Sequence, residues 1–179
     1  EEILSWDHRR MDASHEGEMH LIRKHLHLED IPKMAGTQRL TELLTFWMQS
    51  RNDGDVPDWL PPEALNKIGV LGDVSVVDTT APSSVGYWFR IWGSNLYFLG
   101  GREMTGKPLY DQDNVTYANA MLDDYATVVY TGWPRFQFIH FSTQVGLSNR
   151  YRLLLPLSSN GYEIDKVVAA TQYVRAQLV

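Results

Sequence analysis

The sequence predicts an α+β fold: helices first, then a five-stranded antiparallel sheet with helices over one face. Three observations carry that reading. Segments rich in β-branched and aromatic residues cluster after residue 70, turn-rich connections join them as hairpins, and one long stretch of helical spacing interrupts them. The 179 residues suit one domain. The chain divides at a Pro32/Gly36 joint into an N-terminal helical extension, 1–36, and a main domain, 37–179.

Residues 1–36 hold five of the six histidines. In MHLIRKHLHL, Met19, Ile22 and Leu26 recur at i, i+3, i+7, which predicts a short amphipathic helix. Thr37 is the expected N-cap of the next helix, in which Leu40, Leu43, Leu44, Trp47 and Met48 form one apolar stripe. The run RNDGD ends it. Pro62 opens a short helix through Ile68, stopped by Gly69. Residues 73–79 (DVSVVDT) and 87–92 (YWFRIW) predict two strands joined through APSSVG. From 94 to 112 the pattern breaks into short helical pieces and turns.

Asn114 then caps a long helix with Val115, Ala118, Leu122, Tyr125 and Val129 in register, closed by Gly132. Strands follow at 135–143 (RFQFIHFST), 149–157 (NRYRLLLPL) and 164–175 (IDKVVAATQYVR). In the middle one Tyr151, Leu153, Leu155 and Leu157 share a face, and Arg150 and Arg152 share the other.

Composition excludes several classes of function. The net charge is −6 and no basic run is long enough to track a phosphate backbone, which argues against nucleic acid. The absence of cysteine removes disulfides, thiolate catalysis and zinc–sulfur sites. No run of 18 apolar residues occurs, so a membrane span is not expected, and EEILSWDHRR lacks the order of a signal peptide. The expected location is cytoplasmic. The chain does not begin with methionine, which is compatible with a preceding segment.

GREMTGKP (101–108) nearly satisfies the phosphate-loop pattern G-x-x-x-x-G-K-[ST]. Pro108 offers neither the metal-binding hydroxyl nor an N–H, and it biases Lys107 away from the helix that should start there. Two glycine-based turns are the expected structure instead. HEGEMH (15–20) places its second histidine five residues after the first, off the face a zinc site needs, so no metal is expected. Asp78-Thr79-Thr80 lacks the glycine of an aspartic-protease loop. Arg135, Arg150 and Arg152 could gather on adjacent strands as an anion site or a solvated face. His140 shares a strand face with Phe136 and Phe138, as a ligand contact or as a hydrogen-bonded rim histidine.

The order of strand, tight turn, strand and a run closing in TGKPL resembles a PAS domain. FRIWGSNLYFLGGREMTGKPL, RYRLLLPLSSNGYEID and the helix containing Trp47 are similar to a bacterial family of stand-alone PAS-like proteins of unknown function. The similarity spans 37–179. It implies a sheet order of 2-1-5-4-3, helical segments enclosing a pocket over one face, and a non-catalytic sensory or protein-interaction role. Trp92, Tyr97, Phe98, Phe138, His140 and Tyr151 could line that pocket around a small apolar or aromatic ligand, or fill the core. The cofactor stays open: the flavin-photochemical variant needs a cysteine, and the haem variant draws a histidine from the long helix, which has none. A homodimer through the N-terminal helices is the expected assembly. The alternative is an enzyme or carrier on a cone-shaped α+β fold, using His140 and Asp78.

Overall fold

Strand pairing organises the chain. Among the described residues β1 (His20–Leu26), β2 (Val74–Asp78), β3 (Trp88–Trp92), β4 (Arg135–Thr143), β5 (Gly146–Leu157) and β6 (Lys166–Val174) form one antiparallel sheet. Their spatial order is β1-β4-β5-β6-β2-β3. The structure is a computed structural model that describes residues 20–51, 56–96, 102–112, 114–143 and 146–174. Counted from β2 onward, the five later strands stand in the order 2-1-5-4-3 that the resemblance implies.

The sixth strand corrects the expectation for the N-terminal segment. Residues 20–26 are extended, not helical, and pair with β4 from His20↔Ser142 to Leu26↔Phe136. Seven residues are too few for a self-supporting helix. The open edge of β4 offers a complete row of backbone hydrogen bonds, and the alternating side chains then divide between the two faces. Met19 lies outside the described residues.

Helices cover both faces of the sheet, not one. On the first face α1 (Gln38–Gln49) and α2 (Pro62–Ile68) set Leu40, Leu43, Trp47 and Leu65 against Val74, Val76, Phe136, Leu153, Leu155 and Val168. On the second, α3 (Val115–Thr131) and the 102–112 segment set Met104, Leu109, Met121, Tyr125 and Val128 against Val77, Phe89, Leu154, Val167 and Ala169. The cause is visible in β5 and β6, where LLL and VVAA are apolar at consecutive positions. Such strands need cover on both sides. Most of the apolar stripe of α1 lies inside this core, with Leu40, Leu43 and Trp47 fully buried, while Met48 is 55% exposed.

Local signals set the helix limits. Pro62 is the first residue of α2, and Gly69 ends it in the left-handed conformation. Asn114 Oδ1 accepts the Tyr117 N–H at 2.9 Å and starts α3, and Gly132 ends it. Thr37 stands at the N-cap of α1 as expected, but its side chain accepts no helix N–H. Its hydroxyl donates instead to the carbonyls of Ile31 and Met34, tying the preceding turn to the helix start.

The GKP turn is a sheet-edge device. Gly106 has φ +75°, and the Lys107 carbonyl accepts the Phe89 N–H at 2.9 Å, while Leu109 N–H donates to Tyr87 at 2.8 Å. Pro108 sits opposite Trp88 in this extra bridge, at the edge of β3 where no N–H is required of it. Gly101 lies outside the described residues. Gly93, at the end of β3, passes so close to the chain that a Cβ would meet the carbonyl oxygens of Gly72 and Val74 at 2.3 and 2.6 Å. No helix of the described residues is long and apolar enough to cross a membrane.

Candidate functional site

Helix α3 crosses the second face of β4, β5 and β6, and the polar side chains of that face collect beneath it. Alternation sends Arg135, Gln137, Ile139 and Phe141 of β4 and Ser148, Arg150, Arg152 and Leu154 of β5 to this side. Pairing puts Gln137 opposite Arg152. The side chains then separate into two polar groups flanking the apolar patch at Tyr125.

The first group surrounds a buried carboxylate. Asp124 on α3 is fully buried and receives Arg152 at 2.5 Å, Arg23 at 2.8 Å and Arg135 at 3.5 Å. Arg23 also donates to the Ala120 carbonyl at 2.6 Å and to Asp123 at 3.0 Å, so β1 is clasped directly to α3. Gln137, fully buried, accepts from Arg152 at 2.9 Å and donates to His25 Nδ1 at 3.2 Å. Arg135 Nε–H donates to the same nitrogen at 2.9 Å. One continuous network thus joins β1, β4, β5 and α3.

His25 accepts from two donors in this network, which fits a neutral ring. Burial, then the Arg135 charge, hold its pKa below the usual 6.5, against the opposing pull of Asp124 and Asp123. With the folded-state pKa below the unfolded one, the unfolded chain takes up the proton more readily. Stability attached to His25 is therefore present above 6.5 and lost as pH falls below it. His25→Gln is expected to flatten the dependence of melting temperature on pH just below that value. An unchanged slope in the variant would refute the assignment.

The second group centres on Arg150. Its guanidinium lies 5.0 Å from the Tyr117 ring and 5.9 Å from the Tyr173 ring, and donates to the Tyr173 hydroxyl at 3.4 Å. No carboxylate stands within ion-pair range of it among the described residues. Burial works against its charge, but Tyr117 and Tyr173 outweigh that and raise its pKa. Burial pushes the Tyr173 phenol up as well. Phe141 packs edge-on against Tyr117 at 5.7 Å, and the buried Ser148 Oγ nearby in the strand has no hydrogen-bond partner. Tyr125 adds a fully buried phenol whose pKa burial lifts to about 12. Ser75 faces that phenol, but not in bonding geometry.

Of the six residues expected to line one pocket, Trp92 is not brought together with Phe138, His140 and Tyr151. Trp92 packs on the α3 side, 4.9 Å edge-on from Phe89, with its Nε1 buried and unpartnered. Phe138, His140 and Tyr151 project from the opposite face, where Tyr151 stacks with Phe136 at 5.6 Å and tilts against Phe138 at 5.4 Å. His140 Nδ1 is 2.8 Å from Asn149 Oδ1, its cross-strand neighbour. Tyr97 and Phe98 lie outside the described residues. Asp78 pairs with Arg90 at 2.8 Å, and Thr79 donates to the Ile164 carbonyl at 2.8 Å. His140 on β4 and Asp78 on β2 are separated by β5 and β6, about 14 Å at the usual strand spacing. They do not meet in one site.

Of the three arginines singled out by sequence, Arg135 and Arg152 converge on Asp124 while Arg150 stands apart. Asp124, Arg23, Tyr117 and Tyr173 were not singled out, and His25 was weighed only with His27 as an adventitious metal pair. For Tyr117 and Asp124 the available signal is their spacing of seven on one helix face; for Arg23 and His25 it is their spacing of two on one strand face, hidden by a competing helical pattern. HEGEMH lies outside the described residues save His20, and no cluster suited to a metal ion occurs among the described residues.

No family model matches the sequence, and no curated relative does. Among solved structures the chain is similar to the PAS domain of Bordetella pertussis BvgS, with a TM-score of 0.49 and 16% identity over 64% of this chain and 89% of that one. It is also similar to a fungal LOV-domain photoreceptor, with a TM-score of 0.47 and 11% identity over 83% and 100% of the two chains. The PAS-like character of the fold described above rests on the strand order β4-β5-β6-β2-β3 and its antiparallel registers.

Proposed function

We propose that the chain is a non-catalytic sensory or protein-interaction domain that takes a small ligand between α3 and the sheet. The observation that supports this reading most is Arg150, enclosed by Tyr117 and Tyr173 without a carboxylate in range among the described residues. A half-buried cation without a counter-charge is costly to maintain. A ligand with an aromatic or apolar body and an acidic end would supply that charge and stack on the two tyrosines. The unpartnered Ser148 Oγ and Trp92 Nε1 on the same side are further polar atoms that such a ligand could satisfy.

Mechanistically, a ligand bound there would contact α3 through Tyr117 and the sheet through Arg150 and Tyr173. It would favour one packing of α3 on the sheet, and a partner surface or second copy would read that packing. Native mass spectrometry of freshly purified protein, followed by thermal melts with a panel of small aromatic carboxylates, tests the reading. The expected result is a retained mass or a rise in melting temperature that is diminished in Arg150→Gln. A clean apo mass with no thermal response to the panel, or a response that Arg150→Gln leaves undiminished, would sink it.

A further inference from the structure

At the other end of α3, where its C-terminus meets the turn into β4 and the end of β1, the surface opens into a cleft of about 290 Å³. Its polar wall is formed by His25, Arg135, Thr127 and Thr131, and its apolar wall includes Trp133 and Leu28. The indole of Trp133 is 60% exposed, and the Arg51 guanidinium lies 5.4 Å from its ring centroid, so the cleft has an aromatic surface with a second cation beside it. The volume stands near the lower end of the range for small-molecule sites.

The charge count around Asp124 leaves a cation on the wall of this cleft. Three guanidiniums, Arg23, Arg135 and Arg152, face two carboxylates, Asp123 and Asp124, a formal surplus of one positive charge. Arg152 and Arg23 hold Asp124 at 2.5 and 2.8 Å, and Arg135 is left with the longest contact, 3.5 Å. The surplus therefore resides on Arg135, the member of the group that borders the cleft. Burial, and repulsion from Arg23 and Arg152, depress its pKa, as expected for an under-neutralised guanidinium.

We infer that this cleft is a second binding site, separate from the α3–sheet interior, for a small monoanion with an aromatic or apolar body. The carboxylate would pair with Arg135, and the body would lie against Trp133 and Leu28. The adjoining C-terminal end of α3 carries partial negative charge and disfavours a second charge on the ligand. That selects a monoanion over a phosphate dianion.

The test uses benzoate as probe, with benzyl alcohol matching its shape without charge and inorganic phosphate supplying charge without the ring. The assigned indole N–H resonance of Trp133 locates binding, and calorimetry measures affinity. Benzoate is expected to shift that resonance saturably where the other two do not. Arg135→Gln should weaken binding about tenfold or more, since Asp124 keeps two other arginines and the fold is retained. Trp133→Ala, at an exposed position, should weaken it as well. Arg150→Gln should leave the Trp133 response unchanged, which separates this site from the interior one. An equal response to benzyl alcohol, an affinity unaltered by Arg135→Gln, or no saturable shift would each overturn the assignment.

Discussion

Asp124→Asn is expected to destabilise the fold by about 3–5 kcal/mol, because it leaves buried guanidiniums without their carboxylate. For a chain of this length that corresponds to a fall of about 6–20 °C in melting temperature. Arg152, 4% exposed at its side chain, loses its only ion-pair partner among the described residues, and Arg23 loses the contact that ties β1 to α3. Asp123→Asn is the control: its carboxylate is 63% exposed, and its loss should change stability by about 0.5 kcal/mol or less. Urea unfolding of both variants measures the difference. A cost for Asp124→Asn close to that of Asp123→Asn would show that the network contributes no more than a surface pair. Protection of the β1 amides from hydrogen exchange should fall in Asp124→Asn, since the clasp on that edge strand is then weakened.

Trp47→Ala is expected to cost a similar amount, about 3–5 kcal/mol. Trp47 is 1% exposed in the core between α1 and the first sheet face, and its Nε1–H donates to the Pro156 carbonyl at 2.9 Å. The substitution removes the largest fully buried side chain and leaves a cavity under α1. Trp47→Phe keeps much of the apolar contact but abandons the Pro156 carbonyl, and should cost about 1–3 kcal/mol. Chemical denaturation of the pair separates packing from hydrogen bonding. Equal losses for the two variants would mean that the hydrogen bond, not the packing, is what the residue contributes.

Much of the fold was legible because its signals are local. Asn114 and Gly132 bracket α3, and Pro62 and Gly69 bracket α2, through backbone chemistry that operates within a few residues. The β2–β3 hairpin and the β4–β5–β6 meander follow from turns between β-rich runs. The two misreadings share one cause. MHLIRKHLHL satisfies a helical period and carries no clean alternation, and the open edge of β4 nevertheless drew residues 20–26 into the sheet. In β5 and β6 the even alternation of Tyr151, Leu153 and Leu155 pointed to one covered face. Leu154, Val167 and Ala169 between them show that a second layer is needed.

The candidate site was less legible. His140, Phe138 and Tyr151 do share a strand face, as their parity requires, but Trp92 lies across the sheet from them. The aromatic set was assembled by residue type, and residue type does not say which face of which strand will be covered. The gathering of Arg135 and Arg152 followed from parity and adjacency. The carboxylate that holds them came from a helix that sequence could not orient over the sheet.

By itself, then, the sequence determined what lies within a turn or a hairpin: where helices start and stop, which strands pair with their neighbours, and that GREMTGKP is a turn. Those outcomes depend on φ/ψ preferences and on hydrogen bonds between nearby residues. Only the tertiary structure decided that residues 20–26 join the sheet, that helices cover both faces, and that three arginines share Asp124 while Arg150 has none. Each of these depends on a contact between residues far apart in the chain. Such contacts form where burial leaves a backbone edge or a charge in need of a partner, and no local pattern records which partner will be near.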